Sequence, residues 1–188
     1  MRRNLFTLIA SSVLLSPVAM ANNSTPVMFS TLNQINAPSK ESVGGIRLSV
    51  LHGQVSEVKG VDFSLLGMSE TDRTVGVNFG LLFGASKVNQ EMKGLSLGWF
   101  NWNDGQTTGL NLGTVNVTHD VKGVNWSALN YSTGHTMADV GLASISDKSN
   151  FQLGFFNMTN QIEGIQIGLL NCADNGFLKC FPLINFPK

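Results

Sequence analysis

Few side chains in this sequence are placed to do chemistry. The histidines are His52, His119 and His135, and the cysteines are Cys172 and Cys180. His119 precedes Asp120, but neighbours in a turn do not form an oriented acid–base pair, and no nucleophile motif accompanies them. His119 and His135 sit among polar turn residues, where a solvated ring is the ordinary reading, and no metal-ligand spacing links the three. The cysteines lack C-x-x-C spacing and flank the turn signal Asp174-Asn175-Gly176. That arrangement reads as a disulfide closing a short loop, stabilising by at most a few kcal/mol. Asp62 and Asp139 differ from the other carboxylates because they fall mid-strand on a polar face, where a dry, unpaired carboxylate would be costly. No catalytic residue, cofactor or metal site follows from these residues.

The composition narrows the partners. The chain has 188 residues, 43% hydrophobic but only 13% charged, against about 25% charged in an ordinary soluble domain. Twelve basic and twelve acidic residues cancel, which removes the electrostatic footprint that nucleic acid requires. Arg2 and Arg3, the apolar stretch Leu5 to Val18 and the small-x-small site Ala19-Met20-Ala21 read as an export signal, residues 1–21. Its removal takes two of the twelve basic residues and leaves a net charge of −2. The apolar stretch is shorter than the roughly 20 residues of a spanning helix, and no cysteine follows Ala21 to carry a lipid. Export also permits the disulfide. Residues 22–42 are polar, contain Pro26 and Pro38, and read as a loosely held arm. Residues 43–188 form the repeat domain.

Repeats organise that domain. One unit, G-Φ-x-Φ-(G/S)-Φ with Φ apolar, begins at Gly45, Gly60, Gly76, Gly94, Gly109, Gly123 and Gly164, with degenerate copies at Met137 and Asn150. Its second small residue recurs at steps of 15, 16, 18, 15, 14, 14, 13 and 14 from Ser49 to Gly168. Strict alternation is the period of a strand rather than a helix. One face is apolar, as in Val61, Phe63 and Leu65 or Ile165, Ile167 and Leu169. The other sets glycine or serine around one polar residue: Asp62, Asn78, Ser96, Asn111, Asn125, Asp139, Gln152 and Gln166.

Short polar connectors, including Asn103 to Gln106, Thr118 to Asp120, Ser132 to His135 and Ser146 to Ser149, read as hairpin turns. The expected fold is therefore all-β, about nine short repeated strands in an antiparallel meander closing into a small shallow β-barrel. A crowded lumen suits the small face, which turns the apolar face outward, as in an outer-membrane barrel. Three outward residues per strand give a band of roughly 15 Å, shallower than a full barrel belt. The alternative is a soluble β-solenoid in which each unit is one coil and the apolar face stacks into a core.

The units GVNFGLL, GLNLGTVN and IEGIQIGLLN, followed by NGFLKCFPLINF, resemble the bacterial surface-repeat family built from G-x-Q-x-G-L-x-N units. The resemblance covers roughly Val43 to Phe186 and is most specific at Gly164 to Asn171, although the family's glutamine survives only at Gln152 and Gln166. It implies an exported envelope protein of unknown function, a shallow radial barrel of the β-flower type, and no catalytic residues to carry over.

Trp99, Trp102, Trp126 and Tyr131 are membrane-interface candidates, since tryptophan and tyrosine favour the headgroup region, with core packing the competing reading. The C-terminal run Phe181 to Phe186 resembles the aromatic-ended last strand of outer-membrane barrels, but Pro187 and Lys188 follow it and Pro182 interrupts it. Sequons at Asn23, Asn116, Asn125, Asn130 and Asn157 matter only in a glycosylating pathway. The expected function is a non-enzymatic cell-envelope protein associated with outer-membrane lipid or the surface. The alternative is a soluble secreted or periplasmic module offering its amide and carboxylate ladder to a glycan or protein.

Overall fold

The computed structural model describes residues 23–32 and 35–188; the expected export signal lies outside the described residues. Every regular element among them is a strand: β1 (Ser24–Ser30), β2 (Asn36–Ala37), β3 (Ser42–Ser49), β4 (His52–Ser64), β5 (Met68–Gly80), β6 (Ala85–Ser132), β7 (His135–Leu153), β8 (Phe156–Ala173) and β9 (Cys180–Asn185). They form one nine-stranded sheet in the order β2-β1-β3-β4-β5-β6-β7-β8-β9. Ser24–Ser30, within the segment read as an arm, pairs in parallel with β3 and supplies the first rung.

The expected antiparallel barrel is not what forms. Every neighbouring pair from β1–β3 to β7–β8 is parallel, and the sheet order never returns to its start. Equivalent residues of successive units lie side by side, as in Asp62 with Asn78, Asn78 with Ser96, Asn125 with Asp139 and Gln152 with Gln166. One unit is therefore one coil of a β-solenoid, and the chain advances by one strand spacing, about 4.8 Å, per coil. The 48 residues of β6 wind through the units at Gly94, Gly109 and Gly123 as continuous strand.

The polar connectors read as hairpin turns are the cause of the difference. Thr118 lies inside β6 and Ser146 and Ser149 inside β7, all three buried, because the chain bends there without leaving the strand conformation. A second half-strand in the pattern N-Φ-(N/S/T) thus follows the units at Gly94, Gly109, Gly123 and Asn150, namely Asn101 and Asn103, Asn116 and Thr118, Asn130 and Ser132, Asn157 and Thr159, all with buried side chains. The sequons at Asn116, Asn130 and Asn157 are this second half-strand.

The glycine that opens each unit has a steric reason. Gly109 sits at φ +138°, and a Cβ there would lie 1.9 Å from the carbonyl oxygen of Gly94 in the coil beneath; Gly123 repeats the relation on Gly109 at 1.8 Å. Only glycine adopts that backbone and permits that approach. At the far end β9 reverses direction and pairs antiparallel with β8, placing Cys172 opposite Cys180, which are joined by a disulfide.

The apolar interior is small. Met28, Val43, Val55 and Val58 form a cluster in the first coils. Beyond it the buried side chains are mainly asparagine, serine, threonine and glutamine, interrupted by residues such as Val88, Met92, Val121 and Ile162.

Candidate functional site

The residues with conventional chemistry stay apart. His52 faces Glu70 at 3.7 Å, His119 faces Asp120 at 3.8 Å and His135 faces Glu163 at 3.5 Å, all at the surface on different coils. The His119 ring also bonds the Thr133 hydroxyl, and the His135 ring the Asn150 amide. Among the described residues no three His, Cys, Asp or Glu side chains converge as a metal site would require.

The residues Asp62, Asn78, Ser96, Asn111, Asn125, Asp139, Gln152 and Gln166 form an interior column, each at most 2% exposed. Asn111 Nδ2 donates to Asn125 Oδ1 at 2.8 Å and Asn125 Nδ2 to Asp139 Oδ1 at 2.9 Å; Gln166 Nε2 donates to Gln152 Oε1 at 2.7 Å. A second column runs Asn101 to Asn116 (2.9 Å), Asn116 to Asn130 (3.1 Å) and Asn130 to Ser144 Oγ (3.3 Å). Cross-links join the two halves of the coil, for example Asn103 Nδ2 to Asn111 Oδ1 at 2.9 Å and Gln152 Nε2 to Ser146 Oγ at 3.2 Å. Stacked amides of this kind satisfy one another rung by rung, which is how a polar interior escapes the cost of desolvation. At Ser96 the column breaks: its short hydroxyl and Asn78 Oδ1 have no partner, and Asn78 Nδ2 lies 3.8 Å from the Met92 sulfur instead.

The two mid-strand carboxylates are both held inside. Asp139 accepts from Asn125 Nδ2 and from Thr136 Oγ1 at 2.6 Å; burial pushes its pKa up, and these hydrogen bonds oppose that only in part. Asp62 pairs with Arg47 at 3.4 Å and accepts from the Ser69 hydroxyl. Burial pushes the carboxyl up and the guanidinium down, and their mutual attraction opposes both. Arg47 was missed by the sequence reading, although in GIRLSV it occupies the column position of Asp62 in GVDFSL.

What faces outward is apolar. On one side of the coils Leu129, Tyr131, Ile145, Phe156 and Met158 are each between 44% and 58% exposed. On the other side Trp126 and Val140 continue into Leu153 and Ile167, and a parallel row carries Ala128, Leu142, Phe155 and Leu169. Of the interface candidates, Trp99, Trp126 and Tyr131 stand well exposed, whereas Trp102 is half-buried, with the Lys87 ammonium 5.2 Å from its ring centre. The orientation expected for the barrel is thus kept in the solenoid, while the apolar core expected for a solenoid is replaced by the amide columns. Asn78, Asn111 and Asn125 lie in the interior rather than forming a ladder at the surface.

Between the Trp126 row and the Leu142 row lies an open groove of about 650 Å³. Its floor is the backbone at Gly113, Ser127, Gly141, Gly154 and Gly168, whose successive rungs make the groove run along the solenoid axis. Leu183 of β9 lines it at the C-terminal end. No known protein family, curated protein or solved structure matches the chain.

Proposed function

We propose that the protein is a non-enzymatic component of the cell envelope that lies against outer-membrane lipid through the apolar flanks of its solenoid. The observation that carries this reading is the inversion of the coil, with amides inside and leucine, isoleucine, phenylalanine and tryptophan outside. Contiguous apolar surface of this extent marks a contact with another apolar phase or partner. The low charge of the chain leaves few groups to be desolvated on contact. No element enters the reading as a spanning segment: no helix among the described residues is long and apolar enough to cross a bilayer, and the strands run as coils rather than as a barrel wall.

Flotation of the exported chain with phosphatidylethanolamine and phosphatidylglycerol vesicles, without detergent, tests it. The protein is expected in the vesicle fraction after salt and urea washes. Leu129→Lys with Met158→Lys, two outward positions, shifts it toward the soluble fraction. A protein that washes free and stays monomeric in buffer refutes lipid association.

A further inference from the structure

We propose that the groove between the Trp126 and Leu142 rows is a binding site for a single extended acyl chain of an envelope lipid, drawn in parallel to the solenoid axis. The inference rests on the lipid-associated reading and adds to it a discrete site of defined shape.

Shape, polarity and direction select this occupant. The floor passes four inter-rung steps, from Gly113 to Gly168, and at about 4.8 Å per step that is roughly 19 Å. This is the span of an extended fatty-acyl chain. The walls, among them Trp126, Leu153 and Ile167 facing Leu142, Phe155 and Leu169, carry no charge anywhere along the groove. The side-chain polar atoms in the lining are the indole N–H of Trp126 and Ser127 Oγ, and the latter is buried and already bonded to Leu129 O and to Asn130 Oδ1.

A peptide fits this groove badly. It would run across the strands, whose backbone groups are already paired between coils from Val124 to Tyr131 on β6, along β7 and into β8. A peptide lying there would bury N–H and C=O groups with nothing to bond, at a cost an acyl chain does not incur. The neutrality of the lining complements the uncharged chain of a lipid and leaves its headgroup outside the groove.

The floor positions turn their side chains into the interior, as Ser127 Oγ does toward Asn130, and that interior is crowded. A Cβ on Gly141 would lie 2.0 Å from Ser127 O, and one on Gly168 2.0 Å from Gly154 O. The coils therefore approach closely beneath the groove, and the apolar rows rise on both sides of that backbone strip.

Tryptophan fluorescence reads the site directly. In full-length exported protein carrying Trp99→Phe and Trp102→Phe, Trp126 is the remaining tryptophan and lines the groove. Lysophosphatidylcholine brominated at mid-chain, kept below its micelle-forming concentration, is expected to quench it saturably with one lipid bound per chain. Leu142→Lys, at a position 53% exposed and thus outside the interior, weakens the binding by about tenfold or more, the effect of placing a charge against an apolar ligand. Leu129→Lys on the opposite flank leaves the quenching unchanged and controls for folding. Linear, unsaturable quenching, or saturable quenching indifferent to Leu142→Lys, overturns the proposal. Vesicle flotation separates the two readings: a protein that floats without binding the lysolipid refutes the groove while keeping lipid association. One that binds the lysolipid saturably at the groove without floating supports the groove and removes the membrane reading.

Discussion

Replacing Asn125 by alanine tests whether the interior amide column holds the solenoid together. Asn125 accepts from Asn111 Nδ2 at 2.8 Å and donates to Asp139 Oδ1 at 2.9 Å and to Thr118 Oγ1 at 3.3 Å. Alanine leaves the Asn111 donor and the Asp139 acceptor without these partners in a site with no solvent exposure. At about 1–3 kcal/mol for each orphaned group the loss is roughly 2–6 kcal/mol. Against a usual domain stability of about 5–15 kcal/mol this is a large fraction. A mid-range loss of about 4 kcal/mol corresponds to a fall in Tm on the order of 10 °C for a domain of this size. Asn160→Ala is the control, because the Asn160 amide bonds Asp147 Oδ1 at 2.8 Å in the open, where substitutions cost about 0.5 kcal/mol or less. Urea unfolding followed by far-ultraviolet circular dichroism compares the two, and amide exchange locates the damage. Because each coil touches only its neighbours, protection should fall first around the Asn111, Asn125 and Asp139 rungs. If the two variants unfold within about 0.5 kcal/mol of each other, the column is not a stabilising element and the reasoning fails.

Asp139→Asn should stabilise the protein at neutral pH, with the gain shrinking toward pH 4. Burial raises the folded-state pKa of Asp139 above its unfolded value. Its contribution is thus fully present below the unfolded carboxylate range, about pH 4, and is lost as pH rises through the folded value. Urea midpoints of both proteins across pH 4 to 7 check this, and a gain that grows in acid contradicts it. Serine at both Cys172 and Cys180 removes a crosslink of sequence separation 8, for which the chain-entropy account gives a loss of about 2–3 kcal/mol; amide exchange should then rise first in β9. Gly109→Ala combines φ +138° with a Cβ 1.9 Å from Gly94 O, and strain plus overpacking cost roughly 2–6 kcal/mol. An unchanged thermal midpoint for that variant would contradict the close stacking of the coils.

The periodicity of the strands was legible, as were the outward apolar face and the disulfide; the direction of neighbouring strands was not. Alternation at Val77, Phe79 and Leu81 tells which side chains share a face, but a parallel coil and an antiparallel hairpin impose the same alternation. The deciding signal lay in the segments read as turns. Asn116 and Thr118, or Asn130 and Ser132, repeat at the coil period with the same spacing as the small face of the main unit. Their polarity suggested solvent, whereas in this fold polarity marks the interior. The groove was out of reach for a related reason, because Trp126 and Leu142 face each other across it only once successive units stack in register.

Parallel stacking also raises the question of what stops it. Strands in register present the same edge at either end of a solenoid, so a further rung from another chain could extend the amide columns as in a cross-β fibril. Both ends reverse direction instead. β2 runs antiparallel to β1 and covers Phe29 and Ser30, while β9 runs antiparallel to β8. Asn185 of β9 enters the last rung, its Nδ2 donating to Gln166 Oε1 at 3.4 Å and to Leu178 O at 3.1 Å, and the disulfide ties the strand in place. Pro182 takes one N–H out of that strand. Toward the other end Arg47 substitutes a cation for the amide, bonded to Ser30, Asp62 and Ser69 and closed to further stacking by like amides. These features at the two ends disfavour edge-to-edge stacking, and the proposed lipid contact would then fall to the apolar flanks.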